Sequence, residues 1–429
     1  MAMSMRAEQI PDLTPLQTDL KPVCRFCSSD LRLTFVDLGA SPLCESFLTQ
    51  SECRGPECHY PLHVYVCENC FLVQLEEFVS PEQIFREYAY FSSYSESWLD
   101  HSRRYVADAI ERLHLDESSL VVELASNDGY LLQYFVDESI PCLGVEPAIN
   151  VARAAIGKGV PTLVDFFGSF LARRLAANGK RADLIIANNV LAQVPDLNDF
   201  VNGIRILLAP GGTVTAEFPH LQRLIAENQY DTIYHEHFSY FGFDTIARIF
   251  AEHGLCVFDV EELPTHGGSL RIYARHADEA SPPVSPSVLR LKEGEEMSGL
   301  RDPERYVEFG RQVESSKRAL LRFLIEAADA HQSVIGYGAP GKGNTLLNYC
   351  GIGPDLLAYT VDRNPHKHGR FLPGSRIPIH PPERIEQTRP DFILILPWNL
   401  RDEIVNQLAY TREWGARLVV PIPRLEVVG

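Results

Sequence analysis

No apolar run in this 429-residue chain approaches the roughly 18 residues that a membrane-crossing helix needs, so no transmembrane segment is expected. Its opening residues, MAMSMRAEQIPDL, lack the apolar core of a signal peptide, and a cytoplasmic protein is expected. Positive charge is in short supply. The 39 basic residues face 57 acidic ones, a formal net charge of −18. Such a chain repels phosphate backbones and anionic lipid, which argues against nucleic-acid and membrane partners. Local basic spots remain able to hold one small phosphorylated ligand. Nothing in the sequence points to an obligate interface, so a monomer is expected.

Cysteine, by contrast, is present in quantity: there are ten, most of them between Cys24 and Cys70. Disulfides are rare in a reducing compartment, and the cluster reads more naturally as metal ligands. Cys24-Arg-Phe-Cys27 and Cys67-Glu-Asn-Cys70 form two CxxC pairs separated by 39 residues. Each CxxC turns two thiolates toward one point, and four thiolates complete a tetrahedral zinc with no open position, a structural rather than catalytic metal. The alternative is four free buried thiols. Cys44, Cys53 and Cys58 have no ligand spacing and are read as bland.

At about 100–200 residues per domain, the length predicts two large domains and a small accessory one. Residues 1–20 lack periodicity and are expected to be flexible, and 21–80 form the zinc-binding module. Helical spacing over 81–115 leads into a unit ending near 280. There SLVVEL, CLGVEP, VPTLV, ADLIIANNV and GGTVTAEF alternate with amphipathic stretches, the pattern of a parallel, doubly wound α/β sheet. LCVFDVEEL and GSLRIYARH then read as an antiparallel hairpin finishing that sheet. Residues 281–300, rich in Pro, Ser and charge, are expected to be a linker. Residues 301–429 repeat the alternation with a long helix and four strands, a smaller Rossmann-like domain.

Three segments carry the chemistry. Glu123-Leu-Ala-Ser126-Asn127-Asp128-Gly129 lies between the first strand and a helix, where a doubly wound sheet holds its ligand. It lacks G-x-G-x-x-G, which disfavours a dinucleotide and with it a dehydrogenase or epimerase. Glu146-Pro147 ends the second strand about 20 residues on, where a carboxylate accepts both ribose hydroxyls. That pairing favours S-adenosylmethionine (SAM), with Asn188 and Asn189 at the same edge. An ordinary α/β turn is the alternative.

The second segment, Tyr230 to Phe241, packs Tyr234, His235, Glu236 and His237 into four positions. They supply a base near neutral pKa, a carboxylate to orient it and a phenol for an oxyanion. The i, i+4 spacing of H-E-x-x-H is absent, which disfavours a catalytic zinc. The third, Gly338-Ala-Pro-Gly-Lys342-Gly-Asn344, lies between a strand and a helix. Its backbone amides and Lys342 can hold a pyrophosphate, with Asp362 at the end of the next strand. The full GxxxxGK[ST] motif is absent, and a packing turn is the alternative.

Five motifs in one order, CxxC…CxxC, ELASNDGY, YHEHFSYF, HGGSLR and YGAPGKGNTLLNY, resemble the SAM-dependent C-methyltransferases that act on nucleotide-linked 4-keto-deoxyhexoses in antibiotic biosynthesis. The resemblance covers about residues 22–425. It implies an N-terminal zinc module, a central class I methyltransferase domain and a C-terminal Rossmann-like domain, with a nucleotide-sugar, of the dTDP type, between the last two. It makes His237 the general base, with Tyr234, Glu236 and Tyr90 in the sugar pocket and Ser93 nearby. The chain departs from the family's pattern at Gln193, where members acting at C3 carry a histidine. A glutamine can donate a hydrogen bond to a ketone or enolate oxygen but cannot carry a proton.

The mechanism so implied is removal of the C3 proton by His237, stabilisation of the oxyanion at O4 by Tyr234, Asn189 and Gln193, and methyl transfer to carbon. C-5 methylation, O- or N-methylation of another acceptor, and a catalytically dead nucleotide-binding scaffold remain as other readings.

Overall fold

The computed structural model describes residues 21–85 and 91–428, and three β-sheets organise them. The cysteine-rich segment supplies β1 (Leu33–Ser41), β2 (Tyr60–Val66) and β3 (Val73–Leu75), which run antiparallel, and then the short α1 (Pro81–Phe85). In β2 the period of two is plain: Leu62, Val64 and Val66 are buried while His63 and Tyr65 are half-buried.

The central unit opens with α2 (Glu96–Leu113), capped by Ser95 Oγ accepting from Trp98 N, and turns Tyr105, Val106 and Ala109 inward. Then follow β4 (Val121–Leu124), α3 (Leu132–Asp137), β5 (Cys142–Val145), α4 (Ile149–Gly157), β6 (Thr162–Leu163), α5 (Ser169–Ala177), β7 (Ala182–Asn188), α6 (Leu197–Leu207), β8 (Leu208–Pro219) and α7 (Leu221–Ala226). After these come β9 (Ser239–Tyr240), α8 (Phe243–Glu252), β10 (Leu255–Leu263) and β11 (Ser269–His276). The sheet order is β10-β11-β8-β7-β4-β5-β6. All five strands expected from the apolar runs are present and parallel, and β10–β11 closes the edge against β8 as an antiparallel hairpin. The chain runs outward from β4 through β5 to β6 and crosses back to β7. The carboxyl ends of β4, β5 and β7 therefore flank the crevice where strand order reverses.

Two findings depart from the sequence pattern. β9 does not join this sheet but pairs with β3, so the segment after the Tyr-His-Glu-His run is an edge of the first sheet. The stretch 281–300, expected to be a linker, instead contains α9 (Pro286–Met297), with Ser285 as N-cap and Pro286 in its first turn. Its Glu295 is buried, accepts from His220 Nε2 at 2.7 Å, and accepts from the Phe243 and Asp244 amides that open α8. Proline and serine here start a helix rather than prevent one.

The last unit comprises α10 (Pro303–Asp329), β12 (Val334–Tyr337), α11 (Gly341–Cys350), β13 (Thr360–Val361), β14 (Ile379–His380), β15 (Phe392–Ile395), β16 (Arg417–Val420) and β17 (Glu426–Val428), in sheet order β14-β13-β12-β15-β16-β17. The four expected strands are joined by two short ones, β14 and the antiparallel edge β17. One apolar core runs from the first sheet into this unit: Phe35 of β1 stacks on Phe309 of α10 with ring centroids 4.5 Å apart. Cys24, Cys67 and Cys70 belong instead to the core of the central unit.

Candidate active site

The four cysteine sulfurs converge as their spacing predicts. The Sγ atoms of Cys24, Cys27, Cys67 and Cys70 all lie within 4.8 Å of one another, with Cys24–Cys70 at 3.6 Å and Cys27–Cys67 at 3.4 Å. Tetrahedral zinc with Zn–S bonds of about 2.3 Å separates its sulfurs by about 3.8 Å, so these residues fit that ion. Gln74 Nε2 adds a hydrogen bond to Cys24 Sγ at 3.2 Å, an outer contact that steadies a thiolate ligand.

A cavity of about 500 Å³ opens at the crevice between β4, β5 and β7. At those strand ends Asn127, Glu146, Pro147 and Asn188 line the wall, with Phe166, Phe167, Phe200 and Trp98 supplying apolar surface. Asn127 adopts a left-handed conformation (φ 49°), which turns its N–H onto Glu146 Oε2 at 2.8 Å, while Ala148 N reaches Oε1 at 2.8 Å. Each carboxylate oxygen keeps a second lone pair, so Glu146 can still accept from ribose hydroxyls. Burial raises its pKa and the two amides oppose that. Asn188 Oδ1 is buried without a hydrogen-bond partner beside this wall. A carboxylate, an unpartnered amide oxygen and aromatic surface fit the adenosine half of SAM.

The remaining loop residues sit behind the wall. Glu123 is buried in β4 and its carboxyl is pushed well above the usual range, chiefly by desolvation. Ser126 is fully buried and packs within reach of Gly144. Asp128 Oδ2 holds Lys158 Nζ at 3.0 Å and the Ser93 hydroxyl. Gly129 (φ 75°) is a close-packing position, because a Cβ there would meet Val160 at 3.0 Å. Ser93, expected near the sugar, instead braces the loop after β4 through Asp128. Tyr90 lies outside the described residues.

Tyr234, Glu236 and His237 line the same cavity with Asn189 and Gln193. The Tyr234 and His237 rings lie 4.2 Å apart. His235 does not join them; its Nε2 donates to the carbonyls of Tyr60 and Pro61 at 3.2 and 3.1 Å. His237 Nδ1 lies 3.1 Å from the Thr232 carbonyl. Burial lowers its pKa to about 4, with His266 and Lys342 adding to the shift and the carbonyl opposing it. The ring is therefore neutral near pH 7.

The C-terminal loop meets its expectation only in part. Lys342 reaches the cavity, with its ammonium 4.7 Å from the Trp398 ring centroid and 2.8 Å from Asn399 Oδ1. Gly338, Asn344 and Asp362 do not line the cavity. Asp362 accepts from Ala339 N and Asn364 N. Asn344 Nδ2 donates to the Cys44 carbonyl, tying α11 to the zinc module. The loop also carries Gly336-x-Gly338-x-x-Gly341, the spacing of a dinucleotide turn. Here that spacing serves packing: a Cβ at Gly338 would meet Pro397 Cδ at 2.6 Å, and one at Gly341 would meet Cys44 Sγ at 2.9 Å.

His266, which the HGGSLR motif contains without a role assigned to it, also lines the cavity, and so do Glu45, Cys44 and Trp98, to which no sequence motif points. His266 stands on a left-handed backbone (φ 55°) ahead of Gly267 and Gly268, with its ring 5.3 Å from Trp98. Cys44, read as bland, lies 3.8 Å from Glu236 Oε1.

Three sequence families match the chain in succession: a zinc binding domain over residues 24–85, a methyltransferase domain over 98–260 and a C-methyltransferase C-terminal domain over 264–423. The C-methyltransferase NovU of Streptomyces niveus is 37% identical over 416 residues, which span 96% of this chain and 99% of NovU. Among solved structures, a SAM-dependent methyltransferase from Clostridium acetobutylicum is 12% identical, covering 42% of this chain and 92% of its own, with a TM-score of 0.35. Magnesium protoporphyrin IX methyltransferase from Synechocystis is 14% identical, covering 42% and 81%, with a TM-score of 0.31.

Proposed function

The chain belongs to the C-methyltransferase family, whose members join a zinc-binding module to a SAM-dependent methyltransferase domain, and on that premise we propose that it methylates a ring carbon of a nucleotide-linked 4-keto-deoxyhexose. The observation that carries this reading is one cavity lined both by a carboxylate and amides suited to the donor and by a neutral histidine with its Nε2 free to take a proton.

When bound, SAM supplies an electrophilic methyl on a sulfonium. The protein's part is the acceptor. A carbon beside a ketone loses its proton when the resulting oxyanion is stabilised, and His237 Nε2 takes that proton. Tyr234 O–H and the side-chain amides of Asn189 and Gln193 donate to the developing oxyanion. Glu236 orients the neighbouring groups, and the aromatic wall excludes water. Holding the carbanionic carbon against the donor wall is the remaining contribution, and positioning of this kind supplies a large share of a barrier reduction. Lys342 holds the substrate's pyrophosphate, and the four-thiolate zinc serves the fold.

C3 is the proposed carbon and a dTDP-sugar the proposed acceptor, handled by a cytoplasmic monomer. The uncharged Gln193 in the acceptor wall favours a second reading, methylation at another carbon such as C5. The deciding experiment is transfer from labelled SAM to dTDP-4-keto-2,6-dideoxyglucose, with mass and NMR analysis of the product. A product heavier by one methylene with its methyl on C3 supports the first reading. A methyl on C5 selects the second, and a methyl on oxygen rejects carbon as the acceptor atom.

A further inference from the structure

We propose that Arg25, inside the first zinc knuckle, is a positioning residue that sets the separation between the segment bearing His237 and the loop bearing Asn189 and Gln193. The proposal rests on the reading of His237 as the base, and its geometry is a closed ring of hydrogen bonds. Arg25 Nη1 donates to the Pro195 carbonyl at 2.9 Å, and Nη2 donates to the Leu75 carbonyl. Leu75 N donates in turn to Phe238 O at 3.0 Å, and Phe238 N donates to Ala192 O at 2.7 Å. Ala192 and Pro195 lie on one short loop, so the ring closes on Arg25. Phe238 immediately follows His237, and Gln193 follows Ala192. One guanidinium thus spans both acceptor walls of the cavity.

The knuckle holds this arginine from behind. Asn198 Nδ2 at the start of α6 donates to the carbonyls of Arg25 and Phe26 at 3.1 and 3.0 Å. Arg25 N donates to Gln74 Oε1 at 2.9 Å, and the same side chain reaches Cys24 Sγ. The guanidinium carbon also lies 5.6 Å from the Phe238 ring centroid. A closed four-thiolate site with no room for substrate thereby acquires a reason to abut the active site. It fixes the backbone of Arg25, and the fork of Arg25 fixes the two walls. The rigid guanidinium fork reaches these two carbonyls from two separate nitrogens, whereas a lysine ammonium carries its three donors on one nitrogen and cannot span the same gap.

The test is Arg25→Lys and Arg25→Met in the full-length, zinc-loaded protein. Backbone amide exchange is followed by mass spectrometry in peptides covering 188–196, 234–240 and 121–147. Exchange at the first two is expected to speed by about tenfold or more, while 121–147 on the cofactor side stays as in the parent. Zinc content should remain one per chain and the SAM Kd should stay within about twofold, while kcat/KM for the acceptor falls by about 10- to 100-fold, less for Lys than for Met. Unchanged exchange in 188–196 and 234–240 overturns the proposal, and so does equal acceleration in all three peptides, which marks plain loosening of the fold. Should the parent enzyme not methylate the sugar, the exchange pattern still decides the role of Arg25, and only the reading of the reaction fails.

Discussion

The Thr232 carbonyl oxygen lies 3.1 Å from Nδ1 of His237, and this contact selects the tautomer of the ring. A carbonyl only accepts, so Nδ1 carries the hydrogen and Nε2 keeps its lone pair. On the proposed reading the base's direction is set by backbone, through Thr232 O. Replacing His237 with Asn should lower turnover by about 10²- to 10⁴-fold, the usual contribution of a general base. SAM affinity by calorimetry should hardly change, because the cofactor wall is built from other elements. Loss of both together would make His237 a structural residue.

The burial of the same ring sets the acid side of the pH profile. His237 is lowered to about 4, so the base form persists through the neutral range. kcat/KM should stay level on acidification to about pH 5 and fall with a limb near 4. Folding follows the same sign. Between about pH 4 and 6.5 the unfolded chain binds a proton that the folded one refuses, so this group costs stability as pH drops through that window. A kinetic limb near 6.5 would show instead that the ring is solvated.

Glu146 is the sharpest probe of the donor wall, because its two oxygens already hold the Asn127 and Ala148 amides. Glu146→Gln sets an amide NH₂ against one of those N–H groups and removes the charge that strengthens the others. The SAM Kd is expected to rise by about 10- to 100-fold, in keeping with about 1.5–3 kcal/mol for hydrogen bonds to a charged group. Isothermal titration reads this directly, and an unaltered Kd would place the ribose elsewhere.

The parts of this architecture legible in the sequence are those written in local periodicity and spacing. The five parallel strands follow from short apolar runs, and the thiolate cluster follows from two CxxC pairs. The parts that were not legible depend on distant partners. Nothing near His235 says that its ring will find the carbonyls of Tyr60 and Pro61 while His237, two residues on, faces the cavity. β9 is two residues long and exists because β3, far upstream, offers it an edge. The glycines at 336, 338 and 341 mimic a ligand-binding turn, and only the docking of Cys44 and Pro397 shows that they serve packing.

Lys342 brings a cation into the cavity from the C-terminal unit, held between the Trp398 ring and Asn399. Burial lowers its pKa while the Asp231 carboxyl opposes the shift. If it holds the acceptor's pyrophosphate, Lys342→Met should raise the acceptor KM by about tenfold or more, in line with the loss of one charge-assisted contact, and leave kcat nearly intact. A fall in kcat with an unchanged KM would assign the ammonium to the transition state instead.

In the helix at 286–297, Glu295 is 3% exposed and serves three donors, His220 Nε2 and the amides of Phe243 and Asp244. Removing the carboxylate leaves an imidazole N–H and the first turn of α8 without partners in a dry site. Breaking a buried pair of this kind costs about 3–5 kcal/mol. Glu295→Ala should therefore lower the free energy of unfolding by an amount in that range, while Glu295→Gln, which keeps one acceptor oxygen, loses less. A surface glutamate on a free linker would move stability by about 0.5 kcal/mol at most. Chemical denaturation of the two variants beside the parent thus separates a docked helix from a tether, and a null result for Glu295→Ala would restore the tether.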